Sequence, residues 1–497
     1  MMLLEQIARH AQSQPSQPAL TGLHRMLDYH CLLEEIRRLS QELRQTGIKV
    51  LALYADNTPA WVLADLAALM AGICLVPLPP FFSARQLQHA IRASGAAAVL
   101  TDNSEALQQQ VGELLSGQHR QLLLAGCRMQ LVSTNVAAVD LPDDIAKITF
   151  TSGTTGEPKG VLLRQSQIER VVESLCSAVE ANPADRHLPL MPLAVLLENL
   201  GGIYVSLWSG GNSILPGLQQ TGLHGSVGFD AATLWQAIRN WRPTSLILTP
   251  QTLHILLERM EQDAGIAASL RFVALGGAPV SPRLLQRAAD LGLPLYEGYG
   301  LSECASVTTL NTPAAHRHGS VGRALPHIGF DIAEDGEVLI SGHGFAGYLG
   351  KPMPDDEVWR SGDLGYLDAD GFLYLTGRKR NVFITSMGRN VAPEWVEREL
   401  LLEPEILQAA VFGEARPFNA AVITPHPQAD ISRIADAIDR VNQLLPDYAR
   451  VARFVMADAP FTPANGQLSG TGRPRRQQIY QHYQSRIEAC YSQEKIS

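Results

Sequence analysis

Between Thr151 and Gly160 the chain reads TSGTTGEPKG. The hydroxyl residues Thr151, Ser152, Thr154 and Thr155 surround Gly153 and Gly156, and Lys159 with Gly160 closes the run. Glycines let a backbone approach an anion closely, amide and hydroxyl hydrogens ring its oxygens, and a lysine adds a mobile positive charge. The stretch predicts a grip on phosphate. The GxxxxGK[ST] pattern is absent, so taken alone the run also reads as a Ser/Thr/Gly-rich surface turn.

Further along, chemistry-bearing residues recur in short clusters. GYGLSE ends on Glu303, RSGDLG carries Asp363, and GRKRNVFITSMGRNVAPEWVE begins with Arg378 and Arg380. Taken singly, Glu303 reads as a solvated loop carboxylate, Asp363 as a turn aspartate and Tyr299 as a packing residue. His316 and His318 in HRHG lack an evident third ligand and read as a solvated loop rather than a metal site. DADG, residues 368–371, resembles the start of a calcium loop, but the twelfth position is Lys379, so a hairpin turn is expected.

These clusters need elements to position them. VLALYA, then AWVLADLAALMAG with helical spacing and a glycine stop, then ICLVPLPP, predict strand, helix and strand of a parallel layer. The pattern repeats at AAAVLTD, KITFTSG, SLILTP, RFVALGG and PLYEGYG, each an apolar run entering a small or polar turn. Ligands of open α/β sheets sit beyond the carboxyl ends of strands, where the 151–160 run falls. After about residue 320, FDIAEDGEVLISG and GYLDADGFLYLTGR predict antiparallel hairpins with D-G turns. From about residue 380 a smaller unit follows. It has a helix over APEWVERELLLEP, with Pro393 in its first turn and Pro404 beyond its end, and strands at AAVFG, NAAVITP and RVARFVMA.

Composition sets the bounds. With 497 residues the chain exceeds one core and predicts two or more domains. A net charge of -9 argues against nucleic-acid binding. The six scattered cysteines form no CxxC pair and predict free thiols in a reducing cytoplasm. No leader pattern opens the chain, and LPLMPLAVLLENLGGIYVSLW, interrupted by Glu198, Asn199 and paired glycines, predicts a buried segment rather than a membrane span.

TFTSGTTGEPKGV, GYGLSE, RSGDLG and GRKRNVFITSMGRNVAPEWVE occur together in this order. That succession resembles the acyl-adenylate-forming superfamily, which includes acyl-CoA synthetases, luciferases and peptide-synthetase adenylation domains. The resemblance extends over nearly the whole chain and implies an α/β fold. A large multi-subdomain N-terminal α/β domain, residues 1–379, would carry the nucleotide and acyl pockets. A small mobile C-terminal α+β domain, residues 380–497, would turn against it. The implied reaction joins a carboxylic acid to AMP at the expense of ATP, then passes the acyl group to CoA or to the phosphopantetheine of an acyl carrier protein.

The resemblance also implies roles. The loop residues Thr151, Ser152, Gly153, Thr154, Thr155, Gly156 and Lys159 would grip ATP phosphates. Glu303, with Thr151, would hold Mg²⁺. Gly277, Ala278, Tyr299 and Gly300 would border the adenine, Ser302 would contact phosphate, Asp363 would accept the ribose hydroxyls, and Arg378 would reach the ribose or phosphate. Arg380 matches a hinge, and Gly388 a channel for the slim thiol arm. Lys159, Glu303 and Arg473 would be the catalytic side chains.

The last of these departs from the pattern. Relatives carry a lysine near the C-terminus, and here FTPANGQLSGTGRPRRQQI puts Arg473 in its place. Lysine occurs only at 49, 147, 159, 351, 379 and 495, so the chain favours arginine throughout. Three readings stand: Arg473 does the lysine's work, the bias converted a tolerant position, or adenylation has been lost. The apolar segment MPLAVLLENLGGIYVSLWSGG, residues 191–211, lacks the aspartate that binds an amine in amino-acid-activating relatives, which favours a fatty or aryl acid, and the wording ITSMGRNVAPEWVE and TPANGQLSGTGRPRR leans to fatty acyl. Arg378, Lys379, Arg380, Arg389, Arg473, Arg475 and Arg476 would meet CoA phosphates or an acidic carrier, or form a solvated basic face.

Overall fold

The computed structural model describes residues 2–151, 158–224, 228–277, 280, 282–352, 358–426, 429–462, 464–468 and 473–492. Ser152, Gly153, Thr154, Thr155, Gly156 and Ala278 lie outside the described residues.

Runs of apolar sequence become strands buried on both faces. All residues of Val50–Tyr54 are buried. The strand pairs in parallel with Cys74–Pro77 on one side and Ala98–Thr101 on the other. Between the first two runs the helix Pro59–Ala71, which has proline in its first turn, stops at Gly72 with φ 73°. That left-handed cap costs glycine nothing sterically. Among the described residues the resulting sheet has nine strands. One edge is a hairpin, Leu115–Leu124 with Cys127–Thr134, that the sequence reading lacked. Its two-residue turn has Ala125 and Gly126 at φ 48° and 82°, the primed geometry that suits strand twist.

A second nine-stranded sheet sets Arg186–His187, Ser245–Leu248, Phe272–Leu275 and Leu295–Tyr299 side by side in parallel, in that spatial order. Helices Tyr29–Arg44 and Pro59–Ala71 contribute to a core shared between the two sheets. The expected hairpins form a four-stranded antiparallel sheet, with Val358–Leu367 and Leu373–Arg378 as its last pair. After residue 382 a separate core gathers Val396, Leu400, Val411, Ile423, Ile434 and Ile438 around a three-stranded sheet. The helix expected over APEWVERELLLEP is shorter, Pro393–Leu400, and a turn leads to Pro404. The residue before a proline avoids helical geometry, so the chain leaves the helix early.

The apolar segment around residue 200 is buried, as its composition predicts, but Glu198–Tyr204 winds as a π-helix. Such wide turns are rare and frequent at functional sites. None of the described helices is long and apolar enough to cross a membrane.

Candidate active site

The strand Ile145–Thr151 returns antiparallel as Lys159–Arg164, and Thr151 and Lys159 are directly opposite in register. The two ends of the candidate phosphate loop are therefore fixed by the sheet. Lys159 sets its ammonium 5.2 Å from the centroid of the Tyr348 ring. The Tyr348 hydroxyl in turn donates to Glu303 Oε1 at 2.6 Å. Burial first, and then the facing carboxylate, push the Tyr348 pKa up, so it stays a donor.

Glu303 lies in a short 3₁₀ turn, Ser302–Cys304, just beyond the carboxyl end of the strand Leu295–Tyr299. Gln167 clamps this turn, donating to the Glu303 carbonyl at 2.8 Å and to the His343 carbonyl at 2.6 Å. Ala305 and Ser306 follow at φ 52° and 94°. Non-glycine residues in that region carry strain and gather at functional sites. Gly300 answers a steric demand: a Cβ there would run into the Ser306 carbonyl.

Asp363 and Arg378 are register partners across the strand pair Val358–Leu367 and Leu373–Arg378, and Arg378 Nε meets Asp363 Oδ1 at 2.8 Å. The Tyr299 hydroxyl donates to Asp363 Oδ2 at 2.7 Å. These three expected nucleotide contacts thus touch one another. Arg473 donates from Nε to the Gly277 carbonyl at 2.9 Å and again from its terminal nitrogen, which ties the C-terminal segment to the end of the strand Phe272–Leu275. Arg473 is exposed, yet the cleft walls take part of its water. That desolvation, with Arg378 beside it, pushes its pKa down to about 10. The guanidinium remains charged at neutral pH.

Lys159, Tyr299, Gly300, Ser302, Glu303, Asp363, Arg378, Arg380 and Arg473 all line one cleft of about 2260 Å³, with Thr151 and Gly277 at its wall. Gly388 is not among them; it forms an exposed turn with φ 70°. Two further members of the basic cluster already have acidic partners within the chain. Lys379 pairs with Asp335 at 2.6 Å and Glu337 at 2.9 Å, and Arg476 pairs with Glu394 at 3.0 Å and with Glu397. Sequence spacing could not reveal those partners, which come from other elements. The His316 and His318 rings meet at a tilt of 50°, and no group of three metal-binding side chains occurs among the described residues.

Sequence reasoning missed three contributors. Tyr348 and Gln167 carried no motif signal. A buried network also escaped it: Lys147 reaches Asp65 at 2.5 Å and Asn199 at 2.7 Å, and Asn199 donates to Asp65 at 2.9 Å. Glu198, the other polar residue at the start of the π-helix, accepts from the Leu190 and Met191 amides and from His187.

Glu297, on the strand leading to Tyr299, is half-buried at the cleft wall, and desolvation pushes it up to about 8 against the pull of Arg398, which the helix Pro393–Leu400 carries. Glu397 is raised to about 7, again by burial first. Between the ordinary carboxylate value and these values the folded chain holds a proton that the unfolded chain has lost. Stability therefore falls as pH rises from about 5 to 8. In Glu297→Gln that fall should shrink without vanishing, since Glu397 still contributes. Urea midpoints at both pH values check it, and an unchanged slope would refute the assignment.

Thr151 and Lys159 at the mouth of the hairpin, the clamped Glu303 and Asp363 thus open on one cleft, and the fold around it is that of an adenylate-forming enzyme. The chain belongs to the AMP-binding enzyme family, whose model matches residues 7–349, and the model of that family's C-terminal domain matches residues 380–495. Over 90% of its length it is 27% identical to the long-chain-fatty-acid–CoA ligase FadD15 of Mycobacterium bovis, covering 89% of that protein. It is 29% identical to feruloyl-CoA synthase of an Amycolatopsis species, with 86% and 88% coverage. The fold matches O-succinylbenzoate coenzyme A synthetase of Bacillus subtilis in complex with AMP, with TM-score 0.77, 21% identity, and 95% and 97% of the two chains covered.

Proposed function

We propose that this chain is an acid–CoA ligase that works through an acyl-AMP. Support comes chiefly from the convergence of Lys159, Glu303, Asp363 and Arg473 on one cleft. In this reading residues 1–379 hold ATP and the acid, and residues 380–497 form the part that turns about Arg380, bringing Gly388 to the thiol arm. An oxygen of the acid attacks the α-phosphorus as the bond to pyrophosphate breaks. The thiol sulfur then attacks the acyl carbon, and AMP leaves.

Each residue's chemistry suits a step. Thr151, Lys159 and the loop between them, with Ser302, neutralise and orient phosphate oxygens. Asp363 exchanges the donors it holds for ribose hydroxyls, and Tyr299, Gly277, Ala278 and Gly300 border the base. Arg473 brings charge to the meeting of carboxylate and α-phosphate. Its planar fork covers a carboxylate in two bonds where an ammonium makes one. Magnesium fits an oxygen-only setting of this kind, with Glu303 and Thr151 as protein donors and phosphates supplying the rest. When bound, it neutralises the pyrophosphate. A fatty acid is the proposed substrate, with a cytoplasmic setting and free CoA as acceptor.

Pyrophosphate release from Mg·ATP with a panel of carboxylic acids, with acyl-AMP trapped by hydroxylamine, tests the reading. The native protein should respond to at least one acid. Arg473→Ala should lose about 10²-fold, the scale of one aligned charge, and Arg473→Lys should retain most of the rate. Silence across the panel would overturn the reading. Turnover with a pantetheine-bearing carrier protein and not with CoA would move the acceptor.

A further inference from the structure

The hairpin that carries Thr151 and Lys159 is held on both flanks. Its first strand, Ile145–Thr151, runs beside Cys74–Pro77. In its second strand the Gly160 carbonyl accepts from the Leu349 amide at 2.8 Å. Two residues nearer the mouth, Pro158 is buried and has no amide hydrogen, so only its carbonyl can be held. His89 reaches that carbonyl from the helix Ala84–Ser94, with Nε2 2.9 Å from the oxygen. A carbonyl oxygen only accepts, so Nε2 carries the hydrogen in either charge state of the ring. The same ring meets Phe150, on the opposite strand, edge to face with the centroids 6.0 Å apart. One side chain thus touches both arms of the hairpin.

The helix that carries His89 is itself fixed. Ser83 and Gln86 form a reciprocal cap at its start, and Gly95 ends it in the left-handed region. Leu87, Ala90 and Ile91 share a core with Ile148, Phe150 and Leu162 of the hairpin. His89 is not among the described residues that line the cleft, whereas Phe150, Thr151 and Lys159 are. It braces the hairpin from behind.

We infer that His89 is a positioning residue for phosphate binding, acting through Lys159. The peptide unit from Pro158 to Lys159 is planar, so fixing its oxygen fixes the plane that holds the Lys159 nitrogen and Cα. That plane sets where the Lys159 side chain starts. The ammonium at its far end reaches the ring of Tyr348, whose hydroxyl meets Glu303. A lysine is a point charge on a flexible stem, and ordering it on an anion costs least when its root is already fixed. The ligand class is a magnesium-bound polyphosphate. The inference rests on the reading of Thr151 and Lys159 as contacts to the phosphates of ATP.

Calorimetric titration of the full chain with Mg·ATP, with no acid present, tests the inference without turnover. His89→Phe keeps the edge contact and removes the donor. His89→Gln returns an amide donor at a similar reach. His89→Phe should weaken Mg·ATP binding by about tenfold, the size of one well-made hydrogen bond, and His89→Gln should stay within about threefold of native. The melting temperature of unliganded His89→Phe should remain near native. A histidine with a structural role alone would lower that temperature and leave the affinity of the folded protein unchanged. Lys159→Ala should weaken binding by itself, and adding His89→Phe to it should cost nothing further, because the histidine acts through that lysine. If Lys159→Ala weakens Mg·ATP binding and His89→Phe does not, or if the two losses add in the double variant, the inference falls and the phosphate reading stands. If Lys159→Ala binds Mg·ATP as native does, or the native protein binds none, the phosphate reading falls and the inference with it.

Discussion

Glu303→Gln is expected to slow acid-dependent pyrophosphate release by about 10²- to 10³-fold, the loss typical when one aligned charge-stabilising group is removed. The substitution keeps size and an acceptor oxygen, so the hydrogen bond from Tyr348, 2.6 Å in the native chain, persists. The Gln167 clamp holds the backbone carbonyl and is untouched. What disappears is the negative charge that a hard cation requires. A magnesium titration should therefore give both a weaker apparent affinity and a lower plateau. Tyr348→Phe, which removes only an orienting hydroxyl, should cost less than tenfold. A Glu303→Gln enzyme within threefold of native at every magnesium concentration would remove Glu303 from the site.

Asp65→Asn is expected to destabilise the fold by about 3–5 kcal/mol, the usual cost of stripping one partner from a buried ion pair. Lys147 and Asp65 are almost wholly buried, their side chains 2% and 1% exposed. The ammonium also lies 4.8 Å from the Tyr204 ring centroid. Burial already holds the Lys147 pKa below its ordinary value, with Asp65 opposing the shift. Without Asp65 that shift deepens. Over the window between the depressed folded value and the ordinary lysine value the unfolded chain binds the proton and the folded chain does not, so stability rises with pH. The variant should thus be weakest at low pH and recover as pH rises, a trend followed by urea denaturation across pH. Pairing Asp65→Leu with Lys147→Met should restore much of the loss, since an apolar pair avoids the desolvation cost. A loss under 1 kcal/mol in Asp65→Asn would show that Lys147 is not dependent on this partner.

These two experiments probe parts of the molecule that differ in how visible they are from sequence. Glu303, Tyr299 and Lys159 stand at strand ends and turns, and Asp363 within the strand Val358–Leu367, where short local signals fix the backbone, and their motifs could be read along the chain. The network of Asp65, Lys147 and Asn199 joins residues up to 134 positions apart. No local pattern distinguishes its lysine from a surface one. The same limit hid the acids that pair with Lys379 and Arg476. Alternation and apolar runs gave the strands well, because burial on one or both faces dictates them. They gave the helix Pro393–Leu400 too long, since the turn before Pro404 depends on a backbone restriction rather than on hydrophobic spacing. The hairpin turning at Ala125 and Gly126 escaped because most of its outer strand, Leu115–Leu124, is exposed and polar.

The π-helix has a further consequence. Each of its turns spans one residue more between bonded backbone groups than an α-turn does. The segment Glu198–Tyr204 places Gly201 against Ile247 and, at its start, anchors through Glu198 and Asn199. Losing a single residue here would return the ladder to α-helical pitch and turn the following side chains by about 100° relative to those anchors. The width of the cleft is thus written in chain length as well as in side-chain identity. A one-codon deletion or insertion at this segment, rather than a point substitution, is the shortest genetic route to a cleft of different breadth.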